Sequence, residues 1–328
     1  MGSQGWTLHI RPDTGKVRAR EFGAFFVFIL FFAVLSLTLG SKFFSLTNFQ
    51  NILNQNMAIA LLAIGSTFVI LTAGIDLSVG SVLALASVVL GLVMARLLEG
   101  RWIPEVVITI AILAGLLTGL LCGLANGLLI ARFRLPPFVA TLGLMAVARG
   151  LTRVITRGMT FSEQPESFHL LGQGLLPVAI VLLVFAGAGV ALRYTRFGRL
   201  VYAVGSNEKA ARLSGVNVFA IKTLVYALSG ALAGLAGVLL TSRLQSANAL
   251  LGLGYELNAI AAVVIGGTSL MGGQGSVLGT LLGVLIYGMI QNCLNLFGVD
   301  PFWQEVVIGA VVIAVVLLDY QLQRKPES

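Results

Sequence analysis

Two carboxylates sit in apolar surroundings: Asp76 within LTAGIDLSVGSVLAL (71–85) and Glu256 within GYELNAIAAVV, with Glu305 close to the end of another apolar run. A charge at a bilayer centre costs ~2.5–3.5 kcal/mol on the insertion scale, so each acid needs a physical reason to be there. Asp76 opens a polar turn through Ser78 and Gly80 that precedes an apolar helix. As a helix cap it would accept backbone N–H bonds at the positive helix end. The same carboxylate could instead contact a substrate or carry a proton. The remaining polar groups of interest are amides: Asn126, Gln291, Asn292 and Asn295. Gln291 and Asn295 are four residues apart and share a helix face. An amide offers both donors and an acceptor, which suits the hydroxyls of a small neutral solute, and equally suits hydrogen bonds between helices. The expectation is that Asn126, Gln291 and Asn295 face a solute path and that Asn292 turns away.

Covalent catalysis finds no constellation. The chain has no HExxH and no GxSxG, and its two histidines, His9 and His169, lie far apart in sequence. GGTSLMGGQG is glycine-rich but lacks the GxxxxGK of a phosphate-binding loop, so the chain is not expected to bind ATP, a metal or a cofactor itself. Cys122 and Cys293 both fall in apolar runs and read as small buried hydrophobes.

The elements that position these groups are membrane helices. Hydrophobic residues make up 57 % of the 328 and charged residues 10 %, too few to cover a water-exposed surface. Apolar runs of helical length without two-residue alternation indicate an all-α polytopic bundle rather than a barrel. The expected count is about ten spans, from Phe22–Leu39 to Phe302–Asp319, with a short one at Leu257–Gly267. Placing the N-terminus inside puts two thirds of the Lys and Arg residues on the cytoplasmic side, so both termini are expected there and the net charge of +8 reflects topology, not nucleic acid. Breaks are expected near 74–80 and 266–276, where glycines and polar residues separate apolar helices. Gly115, Gly119, Gly123 and Gly127 form one small-residue face, and Gly230, Gly234 and Gly237 another; either could pack within the chain or between subunits.

One polar, charged segment stands out between the apolar halves: GSNEKAARLSGV, 205–216. Ser206 or Asn207 can cap a short helix that Gly215 ends. It lies in the longest and most basic interior loop, about 194–221, which exceeds what a connector needs and suits docking of a soluble partner.

Together with LTAGIDLSVGSVLAL, the stretches NGLLIARFRLPPFVATLGLMAVARGLT, RFGRLVYAVGSNEKAARLSGVNVFAIKTLVYALSG, GYELNAIAAVVIGGTSLMGGQGSVLGTLLGVLIYG and NCLNLFGV resemble the permease subunits of bacterial ATP-binding-cassette importers for simple sugars, the ribose permease group in particular. The resemblance implies a multi-pass protein of the bacterial inner membrane that moves a small neutral sugar. It implies two permease copies, a homodimer, surrounded by lipid. Cytoplasmic ATPase subunits would use ATP and Mg, and a periplasmic sugar-binding protein would deliver the solute. By the same resemblance Asn207, Glu208, Ala211, Arg212 and Gly215 are the residues that couple to the ATPase. The expected organisation is a tail at 1–21, a permease domain at 22–319 and a tail at 320–328. The rivals are a permease of the same family for a nucleoside or a small signalling sugar, and an ion-coupled transporter using Asp76 or Glu256.

Overall fold

The computed structural model describes residues 14–324. Arg11 and Lys325, part of the topology count, lie outside them. The helices are α1 (Thr14–Leu39), α2 (Leu46–Gln55), α3 (Met57–Leu71), α4 (Val79–Glu99), α5 (Pro104–Ala131), α6 (Pro137–Thr156), α7 (Glu166–His169), α8 (Leu176–Tyr194), α9 (Arg196–Ser206), α10 (Glu208–Leu213), α11 (Val218–Leu244), α12 (Tyr255–Ile265), α13 (Val277–Leu296) and α14 (Pro301–Arg324). No strand occurs among the described residues, only an isolated bridge between Phe161 and Ala247. α1 begins within the segment expected as a tail, and α14 runs past 319.

Among the described residues seven helices are long and apolar enough to cross a membrane, or eight when the pair α2 and α3, bent by 51° at Asn56, counts as one span. The expected ten is not reached by this measure. α12 has 11 residues, about 16 Å at 1.5 Å per residue against a hydrocarbon core of about 30 Å. Its apolar composition resembles a span's, but its length does not.

Local chemistry sets the helix starts. Proline stands at the first turn of α5, α6 and α8, where its missing N–H costs nothing. Ser45, Thr195, Asn207, Asn217 and Ser276 each accept a backbone N–H into the side chain at the starts of α2, α9, α10, α11 and α13.

The core gathers around α11, the most buried of the long helices, and α3, in which every residue is buried. The two glycine faces meet each other within the chain. A Cβ on Gly119 would stand 2.8 Å from Gly234 Cα, and one on Gly123 3.0 Å from Ala227 Cα. Between membrane helices the driving force is close packing rather than water exclusion, so small residues set how near α5 and α11 approach. Gly237 continues the face onto α4, beside the Leu83 carbonyl. Hydroxyl pairs Thr67–Thr280 (2.7 Å) and Ser87–Thr241 (2.5 Å) add hydrogen bonds across helices, each worth about 0.6 kcal/mol on average.

Candidate functional site

The first break is the turn from Thr72 to Ser78 between α3 and α4. Asp76 is 3 % exposed. Its Oδ1 accepts from the Ser78 amide (3.0 Å) and hydroxyl (2.6 Å), and its Oδ2 accepts from the Ser229 hydroxyl (3.0 Å). Asp76 is therefore not the cap itself. Ser78 holds that position, and Asp76 closes an Asx turn two residues earlier. Three donors satisfy a carboxylate that the surrounding apolar helices would otherwise leave unsolvated. The Asn126 amide donates to Ser78 Oγ (2.9 Å), so the turn is tied to α5 as well as α11. Irregular backbone at this depth is tolerated because protein buries it. Gly80 lies against the Glu256 carboxylate and the Gly252 carbonyl, with no room for a side chain.

The amides are not brought together. Asn126 is fully buried in the Asp76 turn; its Oδ1 and the Tyr226 hydroxyl have no hydrogen-bond partner among the described residues. Asn292 is buried and exchanges amide bonds with Asn48, at 2.8 and 3.1 Å. One helical turn on, Asn295 is exposed and accepts from Gln304 Nε2 (2.9 Å), while Gln291 is half-buried.

The second break runs from Gly266 to Ser276 between α12 and α13. Its Gly273 amide donates to the Leu71 carbonyl (3.0 Å), which joins it to the end of α3.

The segment after α8 forms an angled pair of short helices. Thr195 caps α9, and Asn207 ends α9 and caps α10 by accepting from the Ala210 amide (2.9 Å). α10 ends on Gly215 at φ +81°, with Val216 N–H donating to the Ala211 carbonyl (3.1 Å). That is the left-handed turn that satisfies carbonyls at a helix end. Glu208 pairs with Arg212 (2.9 Å) and with Lys222 of α11 (2.6 Å), fixing α10 against the start of α11. These cations, the Lys222 hydrogen bond first, hold the Glu208 carboxyl below its ordinary range against the opposing effect of partial burial. Ala211 is buried and faces the bundle, whereas Leu213 is 90 % exposed. An open groove lined by Arg199, Leu200, Ala203, Ala210 and Val216 lies between α9 and α10.

Sequence reading found the α10 cap, as Ser206 or Asn207, and its stop at Gly215. It missed Lys222, because an ion pair to the next helix has no periodicity, and Leu213, because an apolar residue in sequence reads as core.

The chain is thus a helical membrane bundle with buried broken helices and a capped polar segment, α9–α10, between its apolar halves. The chain belongs to the family described as branched-chain amino acid transport system / permease component, whose model matches residues 48–316. It is similar to the ribose import permease protein of Bacillus subtilis strain 168, 47 % identical over 307 residues, covering 92 % of each chain. The ribose import permease protein of Escherichia coli strain K12 is 43 % identical over 304 residues, 90 % of this chain and 92 % of the relative. The D-allose transport system permease protein of the same strain is 37 % identical over 327 residues, 96 % of this chain and 98 % of the relative. No solved structure gives a significant match.

Proposed function

We propose that this chain is the membrane permease subunit of an ATP-driven importer for a monosaccharide of the ribose kind, in the bacterial inner membrane. The observation that carries this reading is the 43–47 % identity to ribose import permeases over about nine tenths of the chain. The family description names amino-acid transport, while the relatives matched over about nine tenths of the chain or more are named for ribose and allose, and the sugar reading follows the relatives. Two copies form the translocation path, exposed apolar side chains such as Phe26, Leu183 and Val154 face lipid, and a periplasmic binding protein delivers the sugar to the outer side. Both termini and the α9–α10 platform face the cytoplasm, where an ATPase subunit consumes ATP with Mg. Asn207, Glu208, Arg212 and Gly215 shape the docking helix, Leu213 supplies its apolar contact, and Ala211 anchors it from beneath. Asp76, Ser78 and Gly80 serve as the structural turn. Gln291 and Asn295 line the sugar's route, and Asn126, buried in the Asp76 turn, acts on that turn rather than on the solute directly.

The work of the chain is motion, not covalent chemistry. A permease changes which side of its path is open, and energy enters through differential binding of the ATPase to the two states. The test is reconstitution with the neighbouring ATPase and binding protein. Radiolabelled ribose should accumulate only with ATP and all components present. Accumulation by the permease alone under an ion gradient would overturn the reading.

A further inference from the structure

α9 is held to both broken-helix turns at one place. At its start, Phe197 stacks on Phe68 of α3, ring centroids 5.9 Å apart. One turn before its end, the Tyr202 hydroxyl donates to the Gly275 carbonyl of the second break (2.8 Å), and the phenol is buried. At the last turn, Gly205 lies against the Leu71 carbonyl and the Gly273 amide, where a Cβ would overlap backbone. The Gly273 amide is itself bonded to the Leu71 carbonyl (3.0 Å). Gly272, next to it, abuts the backbone of Ala73, which enters the first break at φ +57°. A Cβ on Gly273 would lie 2.9 Å from Ser206 N and Cα, immediately before the residue that caps α10.

Three segments remote in sequence thus share one contact: the end of α3 leading into the Asp76 turn, the 266–276 turn, and the end of α9. The 266–276 turn, and the Asp76 turn that the end of α3 enters, lack a helical hydrogen-bond ladder along their own backbone and so resist bending less than the helices they join. The third continues directly into α10. Backbone packed on backbone leaves no flexible side chain to absorb a displacement, because close-packed interiors transmit strain.

We propose that Tyr202 and Gly205 are positioning residues for transport: they lock α9 to both turns, so that a displacement of α10 moves the two breaks together. This rests on the reading of α10 as the ATPase contact. The Tyr202 hydroxyl is a donor throughout the physiological range; burial, and then the nearby Glu21 carboxylate, push its pKa up to about 12. Both turns contribute backbone to the bundle's interior, and moving one alone would break the bond between Gly273 and Leu71. Joint motion keeps it.

The test uses the assembled importer, permease with ATPase subunits and ribose-loaded binding protein, in lipid vesicles. Tyr202→Phe keeps the ring and removes only the hydrogen bond to Gly275. The expected result is normal assembly and undiminished ATP hydrolysis, with ribose taken up per ATP falling about two- to tenfold, the range that one net hydrogen bond supplies. Gly205→Ala should lose more, since backbone must move. If that variant fails to assemble, Tyr202→Phe decides alone. An assembled Tyr202→Phe complex with unchanged ribose per ATP would overturn the proposal. So would loss of ATPase binding in that variant, which would make Tyr202 part of docking. The docking reading is tested apart from this by Leu213→Asp: an ATPase that still binds that variant in full contradicts the role of α10 without touching the junction.

Discussion

Asn207 and Gly215 define α10 with a side chain at one end and a backbone conformation at the other. Removing the cap with Asn207→Ala should cost about 1 kcal/mol locally and weaken ATPase binding without changing insertion, as read by co-purification. Arg212→Glu has a sharper effect. It places a second carboxylate beside Glu208 and leaves Lys222 to face both. We expect a folded, inserted permease whose ATPase binds weakly or hydrolyses without uptake; normal assembly and transport would exclude this face from coupling. Glu208 also gives a pH dependence. Its carboxyl is held below the ordinary value, so folding favours its ionised form. That contribution is complete above the unfolded carboxylate pKa of about 4.3 and is lost as pH falls through the lower folded value. The group is substantially exposed and water screens it, so Glu208→Gln should cost under about 1 kcal/mol at neutral pH. The variant should also unfold with a flatter acid limb in detergent-solubilised protein.

Among the elements, the contact of α5 with α11 is the most demanding. Gly123→Leu must push α11 away, because the first added atom meets the backbone of Ala227 and Gly230; overpacking of this kind costs about 1–3 kcal/mol or more. Folded yield by size-exclusion should fall sharply, whereas Gly187→Leu on α8, where space is open, should leave it unchanged. Equal yields would remove the close approach as a stability determinant. This contact was half legible in the sequence. The two glycine faces stood out by their four-residue period, but nothing in the period says that they face each other. The apolar runs were legible as helices, but their continuous length was not, since composition reports greasiness rather than extent, as the 11 residues of α12 show. The bend at Asn56 escaped notice because α2 does not read as part of a span: Asn48, Gln50, Asn51, Asn54 and Gln55 fall in its ten residues and the apolar run begins only after Asn56; the Ser45 cap ahead of α2 was the available signal. At the Asp76 turn the acid's presence could be read, but Ser229, which bonds Asp76, and Asn126, which bonds Ser78, lie about 50 residues or more downstream, where no local pattern points back.

At the scale of the whole molecule, orientation is the first thing to measure. Lys209 and Arg157 are both exposed, at the α10 platform and at the far end of α6. In intact cells an impermeant thiol reagent should label Arg157→Cys and spare Lys209→Cys, with labelling of Lys209→Cys only after permeabilisation; the reverse would invert the bundle. The Asp76 turn has a bearing on how the chain is made. Its carboxylate is closed by Ser229, 153 residues later, and the ribosome adds about 5–20 residues per second, so roughly 8–30 s separate the two. During that interval α3 and α4 exist without the Ser229 hydroxyl, the donor to Asp76 Oδ2, and a half-satisfied ionised carboxylate is costly in lipid. The nascent turn must wait in contact with water or the insertion machinery until α11 emerges. Chains arrested before residue 218 should therefore leave Ser81→Cys, buried at the start of α4 in the finished fold, open to a water-soluble thiol reagent, and chains arrested well beyond Leu244 should protect it.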